Sequence, residues 1–422
     1  MRDSEKKSLL LITDNYPFGF GDSFLFTEIE FLCSYFSVTV VTTNTQDTIS
    51  NAFKDDFQIH RIDSRIGFPE IVRYTISCLF EKLFWKEIFV VLQSRDKLFQ
   101  RILQTFSTCS KAKKFASSLN ELGILSSQEI IYCYWHNYKV LGVGIALKKC
   151  KQSQIPIVSR VHGYDLYHER VKRGARQPFK QAYDSFLSTV YFVSKAGYDY
   201  YVGTFGKTTG CEYIVSRLGV NNPQHITETS KQFGLSLVSV SNTIPLKRIE
   251  LIIDALSLIT DYSIQWVHFG GGSSLGILQQ RAKEKIGTNS NICFSFLGPV
   301  KNSEIVKYYK EHEIDAFITT TATEGGCPVS IQEAFSFGIP VIGTAVGGIP
   351  EMISEKRNGL LLSSDPSSLE VKKAIDTIYC LKSSDSFNEM KQQAASTWNE
   401  KFNAKKNFMK FAEDLYDQVE TS

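Results

Sequence analysis

The stretch Asp315–Met352, DAFITTTATEGGCPVSIQEAFSFGIPVIGTAVGGIPEM, holds the densest set of residues able to do chemistry. A buried strand at Ala316–Thr319 runs into a Thr/Gly-rich loop, and Pro328 then opens a helix whose first turn carries Val329, Ser330 and Ile331. Proline suits that place because its missing N–H is not needed at a helix start. The free amides and the positive end of the helix dipole make a site for a diphosphate. Glu324 precedes the helix and Glu333 lies in its second turn, with Gly325, Gly326, Gly347 and Gly348 around them. Both carboxylates can border one ligand and accept hydrogen bonds from paired hydroxyls. The plain alternative makes Glu333 an exposed helical residue and Glu324 a partner of the helix dipole.

Three other stretches bear on the same chemistry. Leu235–Ile249, LSLVSVSNTIPLKRI, reads as a buried strand, a turn with Pro245 and a helix start. Lys247, with Arg248 beside it, is a cation suited to neutralising a diphosphate leaving group, or else one of two solvated bases. Ser159–Arg170, SRVHGYDLYHER, ends the strand Pro156–Val161 at His162-Gly163. Such an imidazole can donate to a hydroxyl or handle a proton near neutral pH, with Asp165 to orient it or to bind ligand itself. The loop Tyr16–Phe24, YPFGFGDSF, follows the first strand, and Gly19 and Gly21 allow close approach of its backbone to a ligand.

These residues need a scaffold, and the chain shows one. Short β-branched runs at Ser8–Thr13, Ser37–Thr43, Glu129–Tyr134, Pro156–Val161 and Thr189–Val193 alternate with helical segments at Phe24–Tyr35, Tyr138–Lys149 and Ser194–Phe205. The rhythm restarts after residue 232, with strands at Leu235–Ser239, Ser263–Phe269, Ile292–Phe296, Ala316–Thr319 and Pro340–Gly343. Helices follow at Lys247–Leu258, Glu304–Lys310, Ser330–Phe337 and Pro366–Cys380, and an amphipathic tail at Lys401–Tyr416. The reading is α/β: two Rossmann-like, doubly wound parallel-sheet domains facing across a cleft, at the carboxyl ends of whose strands ligands bind. The domains are expected at 1–222 and 223–399, joined through Asn221–Gln232, with a closing helix at 400–422 directed back toward the first domain.

The bulk numbers agree. A chain of 422 residues is too long for one core, and 43% apolar with 22% charged residues is ordinary for a folded protein. A net charge of +3 gives no case for nucleic acid as a partner. Nine cysteines without a CxxC pair read as reduced thiols, and no stretch has the apolar length of a signal peptide or a spanning helix. A cytoplasmic protein is the expectation. Residues 65–118 break the rhythm: largely helical, they carry ten Lys/Arg against four Asp/Glu, interleaved with Phe80, Phe84, Trp85, Phe89 and Phe99. The plainer reading is an insertion packed on its domain; the other is peripheral contact with anionic lipid on the inner face of the membrane.

The 315–352 stretch resembles the donor-binding signature of retaining glycosyltransferases of family 4, the group 1 transferases, which have the GT-B fold. That resemblance implies a nucleotide-diphosphate sugar as co-substrate, no metal or other cofactor, Glu324 on the sugar hydroxyls and Glu333 on the ribose. The family spaces this pair by seven residues; here eight intervene, the extra one falling among Gly325, Gly326 and Cys327. Lys247 matches the family's lysine, whereas Asn242 stands where the family has an arginine, leaving Arg248 as the nearest substitute. His162 matches the family's histidine beside the transferred sugar, and Gly19 and Gly21 fall in its phosphate and acceptor loop. Arg217–Val220, His268–Gly272 (with Gly270) and Phe296–Val300 are further landmarks, the backbone near Val300 bordering the base. The basic run Arg170, Lys172, Arg173, Arg176 and Lys180 is a solvated face or a contact for a diphosphate-bearing acceptor.

The phrases quoted are most similar to bacterial enzymes of capsule, exopolysaccharide or O-antigen synthesis. They imply transfer of a hexose-type sugar from a UDP- or GDP-linked donor to a glycan or polyprenyl-diphosphate-linked acceptor. A GT-B epimerase and a weakly catalytic partner in a glycan assembly complex are the alternatives. A nicotinamide dehydrogenase fits poorly, because Phe24 occupies the third glycine's place and Thr42, Thr43 and Asn44 replace the ribose-binding acid. Gly206-Lys207-Thr208 lacks the upstream glycine of a P-loop, where Tyr201 stands.

Overall fold

The computed structural model describes residues 6–18, 22, 25–46, 58–93, 97–168, 177–221, 226–227 and 234–421. They form two compact units: unit 1 comprises Met1–Ser216 with Phe408–Ser422, and unit 2 comprises Arg217–Asn407. The expected linker Asn221–Gln232 lies almost wholly outside the described residues. Unit 2 begins before it, because Val220 bonds to the backbone on both sides of Asn403: its N–H donates to Phe402 O at 3.0 Å and its carbonyl accepts from Ala404 N at 3.1 Å.

Unit 1 runs β1 (Lys7–Thr13), α1 (Leu25–Tyr35), β2 (Phe36–Thr42), β3 (Gln58–Arg61), α2 (Phe68–Cys78), α3 (Lys82–Leu92), α4 (Leu98–Leu122), β4 (Ile130–Cys133), α5 (Tyr138–Cys150), β5 (Ile157–Val161), α6 (Gly163–Leu166), α7 (Lys180–Asp184), β6 (Thr189–Phe192), α8 (Lys195–Phe205) and β7 (Glu212–Val215). Its seven strands are all parallel, in the order β3-β2-β1-β4-β5-β6-β7. β1 is apolar through Leu9–Ile12 because both of its faces are covered. Leu10 and Ile12 join Cys133 and Val161 under α4 and α5, while Leu9 and Leu11 join Tyr132 and Val158 beneath α1 on the opposite face. That split is the period-2 alternation of a strand.

Unit 2 runs β8 (Leu235–Val240), α9 (Ile249–Leu256), β9 (Ile264–Phe269), α10 (Leu275–Ile286), β10 (Ile292–Phe296), α11 (Asn302–Glu311), β11 (Ala316–Thr319), α12 (Val329–Ser336), β12 (Val341–Thr344), α13 (Ile349–Met352), β13 (Gly359–Leu362), α14 (Ser368–Leu381), α15 (Asp385–Lys401) and the start of α16 (Ala404–Glu420). Its six strands are also parallel, ordered β10-β9-β8-β11-β12-β13. Leu237, Trp266 and Ile318 face one core, Val238, Val267 and Phe317 the other. The helix expected from Lys247 instead starts at Ile249, after a short 3-10 turn at Pro245–Lys247. Arg248 separates the two, in the left-handed region at φ 47°. The far half of α16 supplies Phe411, Ala412 and Leu415 to the core of unit 1.

Candidate functional site

In each sheet the strand order reverses direction once, and in doubly wound sheets the crevice at that switch point is where ligands bind. In unit 2 the switch lies between β8 and β11. A pocket of about 380 Å³ opens at their carboxyl ends, walled by Asn242, Lys247, Gly270, Val300, Glu324, Val329 and Ser330 together with Ser241, Gly271, Pro299 and Pro328. Seven sequence candidates from four separate loops thus meet in one concavity.

Two glycines make the close packing possible. Gly270 has φ +136°, and a Cβ there would lie 1.8 Å from the Ser241 carbonyl oxygen. Gly347 has φ +55°, and its Cβ would lie 2.2 Å from the carbonyl oxygen of Glu324. Only glycine fits such contacts, since the backbone conformation and the space both exclude a side chain. The loop carrying Glu324 is tied further by Gly348 N to Gly326 O (3.1 Å), by Gln332 Nε2 to Cys327 O (3.0 Å) and by Thr344 Oγ1 to Thr321 O (2.6 Å). Ala322 N donates to Leu246 O at 2.8 Å, joining this loop to the turn that carries Lys247. Sequence reasoning did not single out Gln332, Thr321 or Thr344; for Thr321 the run TTTATEGG was the one signal.

Lys247 Nζ donates to Glu324 Oε1, and both side chains are partly exposed, at 23% and 17%. The pocket therefore presents a cation whose carboxylate partner is also turned to it. Behind them, Pro328 caps α12, and the first intrahelical bonds are made by Ile331 and Gln332 to the Pro328 carbonyl. The amides of Val329 and Ser330 precede that ladder, on the wall of the pocket.

Five expected residues do not line this pocket. Arg248 is turned away by its left-handed backbone: its guanidinium donates to Thr320 O (2.8 Å), Thr321 O (3.1 Å) and Ser364 O (2.9 Å) and pairs with Asp365 (2.6 Å). It bolts three loops together and does not replace the charge missing at Asn242. Glu333 receives Asn302 Nδ2 at 2.6 Å, and burial pushes its carboxyl up to about 7. Gly325 and Gly326 stand in the loop behind Glu324, outside the lining. His268 is a core residue held by Ser239 Oγ at 2.8 Å, although the Phe269–Gly271 segment after it lines the pocket.

In unit 1 the switch lies between β1 and β4, and the described residues at its strand ends are bonded to one another and to backbone. Asp22 accepts Tyr16 N (2.8 Å), Asn15 N (2.5 Å) and Trp135 Nε1 (2.8 Å), fastening the loop after β1 to the end of β4. Gly19 and Gly21 lie outside the described residues, as do Arg170, Lys172, Arg173 and Arg176. Lys180 is buried, donating to His136 O at 2.6 Å, so it is no part of a solvated basic face. At the end of β1 Asp14 pairs with buried Lys139, a contact the sequence did not announce.

His162 is 7% exposed, its ring 4.7 Å from the rings of both Tyr134 and Trp135. Its Nε2 has no hydrogen-bond partner among the described residues. Burial, reinforced by the Arg160 charge, lowers its pKa to about 3. The ring is therefore neutral at physiological pH and is not a proton handler near neutrality; a hydrogen bond through Nε2 is what it can offer. Asp165 uses both oxygens on backbone, accepting His162 N and His136 N at 2.7 Å each. It orients the segment and has no free edge for a ligand.

Comparison with known proteins bears on the fold and on unit 2. The solved structure of the lipopolysaccharide outer core galactosyltransferase WaaB, apo form, matches with a TM-score of 0.70 over 97% of this chain and 99% of that one, at 15% identity. That of Anabaena Alr3699/HepE in complex with UDP matches at 0.66 over 97% and 100%, at 16% identity. Among curated proteins, N-acetyl-alpha-D-glucosaminyl L-malate synthase of Bacillus anthracis is 24% identical over 198 residues, 46% of this chain and 49% of that one. The amylovoran biosynthesis glycosyltransferase AmsK of Erwinia amylovora is 35% identical over 72 residues, 16% and 18% of the two chains. The chain thus spans about half the length, or less, of these two relatives. The fold is GT-B. Residues 234–379, which build the pocket, match the family described as Glycosyl transferases group 1, so unit 2 carries a domain of that family.

Proposed function

We propose that this protein is a retaining glycosyltransferase that moves a hexose-type sugar from a UDP- or GDP-linked donor to a glycan or lipid-linked oligosaccharide during surface polysaccharide synthesis. The observation that carries the reading is the convergence of Lys247, Glu324 and the start of α12 on one pocket at the β8/β11 switch point. In this reading Lys247 and the amides of Val329 and Ser330 hold the diphosphate and take up the charge that develops as the sugar leaves, with no metal called upon. Fixed donors aimed at developing charge are commonly the largest catalytic contribution. Glu324 exchanges its bond to Lys247 for hydroxyls of the sugar; the ribose role of Glu333, which stands outside the pocket wall beside Asn302, rests on the family resemblance.

On unit 1, His162 offers Nε2 to a hydroxyl of the transferred sugar, and Asp165 holds the backbone that presents it. The acceptor in this reading is carried on a polyprenyl diphosphate at the inner face of the membrane; the likeness to an amylovoran biosynthesis glycosyltransferase supports polysaccharide synthesis as its setting. HepE, a structural neighbour, has been solved with UDP-glucose, which supports a nucleotide sugar as donor.

The test is titration of UDP, GDP and their sugar conjugates, followed by transfer of labelled sugar to lipid-linked acceptors. Saturable binding with transfer and retained anomeric configuration is the expected result. Binding without transfer to any acceptor would favour a partner role, and interconversion of donor sugars without an acceptor would favour an epimerase.

A further inference from the structure

We infer that the outward face of α2–α4 in unit 1 docks in the plane of a membrane surface that bears anionic headgroups. The argument starts from α3, which has two apolar faces and one use for them in the fold. Phe84, Ile88 and Val91 are buried in the unit 1 side of the helix. Trp85 and Phe89 point outward, 53% and 64% exposed, and Lys82 and Lys86 share their side at helical spacing. α2, its following turn and the start of α4 extend the same composition through Ile71, Ile76, Phe80 (83% exposed) and Phe99 (72%). Eleven of the twenty-one exposed large apolar residues among the described residues fall between 71 and 103. Scattered exposed apolar residues need no explanation, but a concentration of this kind marks an interaction surface.

Charge selects the occupant. The described acids of the region are spent inside it: Glu70 pairs with Lys114, Glu81 with Lys113, and Glu87 is buried. Lys82 and Lys86 have no ion pair among the described residues, so the outward side of α3 carries two cations beside its aromatic rings and no described acid. Lysine stems can lie along apolar rings while their ammonium groups reach lipid phosphates. The indole N–H of Trp85 already donates to Leu79 O at 2.7 Å, so the ring can enter an acyl boundary without stranding a donor. Lys82, Trp85, Lys86, Phe89 and Val90 also wall a groove of about 580 Å³, room for a lipid tail beneath a phosphate. No helix among the described residues is long and apolar enough to cross a membrane, which leaves an in-plane contact.

The experiment is co-sedimentation of the full chain with vesicles of phosphatidylcholine alone and with roughly one third phosphatidylglycerol added. The protein should sediment with the anionic vesicles and release in about 0.5 M salt. Trp85→Glu with Phe89→Glu, and separately Lys82→Glu with Lys86→Glu, should each weaken binding by roughly tenfold or more. None of the four positions lines the pocket of unit 2, so UDP binding should stay as in the parent, and the exposed lysine pair should also keep the parent's melting temperature, separating this surface from that pocket. Equal binding by parent and variants, or no binding to either vesicle, would overturn the inference. So would a dimer that the Trp85/Phe89 variant makes monomeric, which would assign the face to a second copy of the chain.

Discussion

The two units have the same kind of sheet and a switch point apiece, yet the described residues at the switch of unit 2 line an open pocket while those at the switch of unit 1 bond to one another. In unit 2, glycine at 270 and 347 and a short-side-chain loop from Thr320 to Pro328 leave a polar concavity with an accessible ion pair. In unit 1, Asp22, Trp135, His136 and Asp165 occupy the corresponding strand ends with bonds to one another and to backbone. The side chains after the strands set what each switch point presents: in unit 1 they form a bonded frame in which His162 Nε2, like His136 Nδ1 and Tyr134 Oη, is buried without a partner among the described residues.

The sharpest way to break this contrast is to remove the cation of the hollow site. Lys247→Met should lower turnover by about two to three orders of magnitude, the usual consequence of deleting a fixed charge-stabilising donor. Donor affinity should fall with it, measured by titration of the nucleotide sugar. Turnover equal to the parent's would remove Lys247 from the chemistry and with it the assignment of the pocket.

A second disruption tests whether the hollow depends on glycine. Gly347→Val places a branched side chain at φ +55° with its Cβ 2.2 Å from the Glu324 carbonyl. Strain and collision together should cost about 2–4 kcal/mol in urea unfolding, with Glu324 displaced and donor binding lost. A neutral result would mean that the Glu324 loop is not fixed by this contact.

The bonded frame of unit 1 gives the opposite pattern. His162→Ala should reduce turnover by roughly ten- to a hundredfold while donor affinity stays within about twofold, because the ring lies in unit 1 and acts on the transferred group. With a pKa of about 3, His162 stays neutral from pH 5 to 8, so the variant's pH–rate profile should keep the parent's shape in that range. A lost inflection near neutrality would show that the imidazole titrates after all.

What the sequence disclosed follows this division. The strands nearest the switch points were legible because burial on both faces writes continuous apolar runs such as Leu9–Ile12 and Ala316–Ile318. The edge strands β3 and β7 were not, since their half-exposed residues carry no such run. The pocket of unit 2 was legible because glycine, proline and paired carboxylates sit within one local stretch. Arg248 and Lys180 were misjudged for one shared reason: their partners are backbone carbonyls far away in sequence, and composition does not show that; for Asp165 the orienting alternative is the one the structure shows. The aromatic face of residues 71–103 was visible as composition, but which rings pack inward, Phe84 among them, appeared only with coordinates.

The mildest prediction concerns Glu333, and it joins stability to binding through one proton. Burial raises its pKa from the ordinary 4.5 to about 7, opposed only by the bond from Asn302. Between those values the folded chain holds a proton that the unfolded chain has released. Stability should therefore be greatest below the lower value and fall as pH climbs toward about 7, by on the order of 1–3 kcal/mol, then level off. Glu333→Gln should remove that slope in chemical denaturation measured across the range. Ribose hydroxyls are accepted best by the ionised carboxylate, so affinity for UDP-glucose should rise through the same window in the parent and stay flat in the variant. UDP-glucose is the ligand to use, because a diphosphate esterified at both ends has no proton to lose there, whereas free UDP titrates near pH ~6. Parallel slopes in parent and variant would place Glu333 away from the ribose and leave its burial a matter of the fold alone.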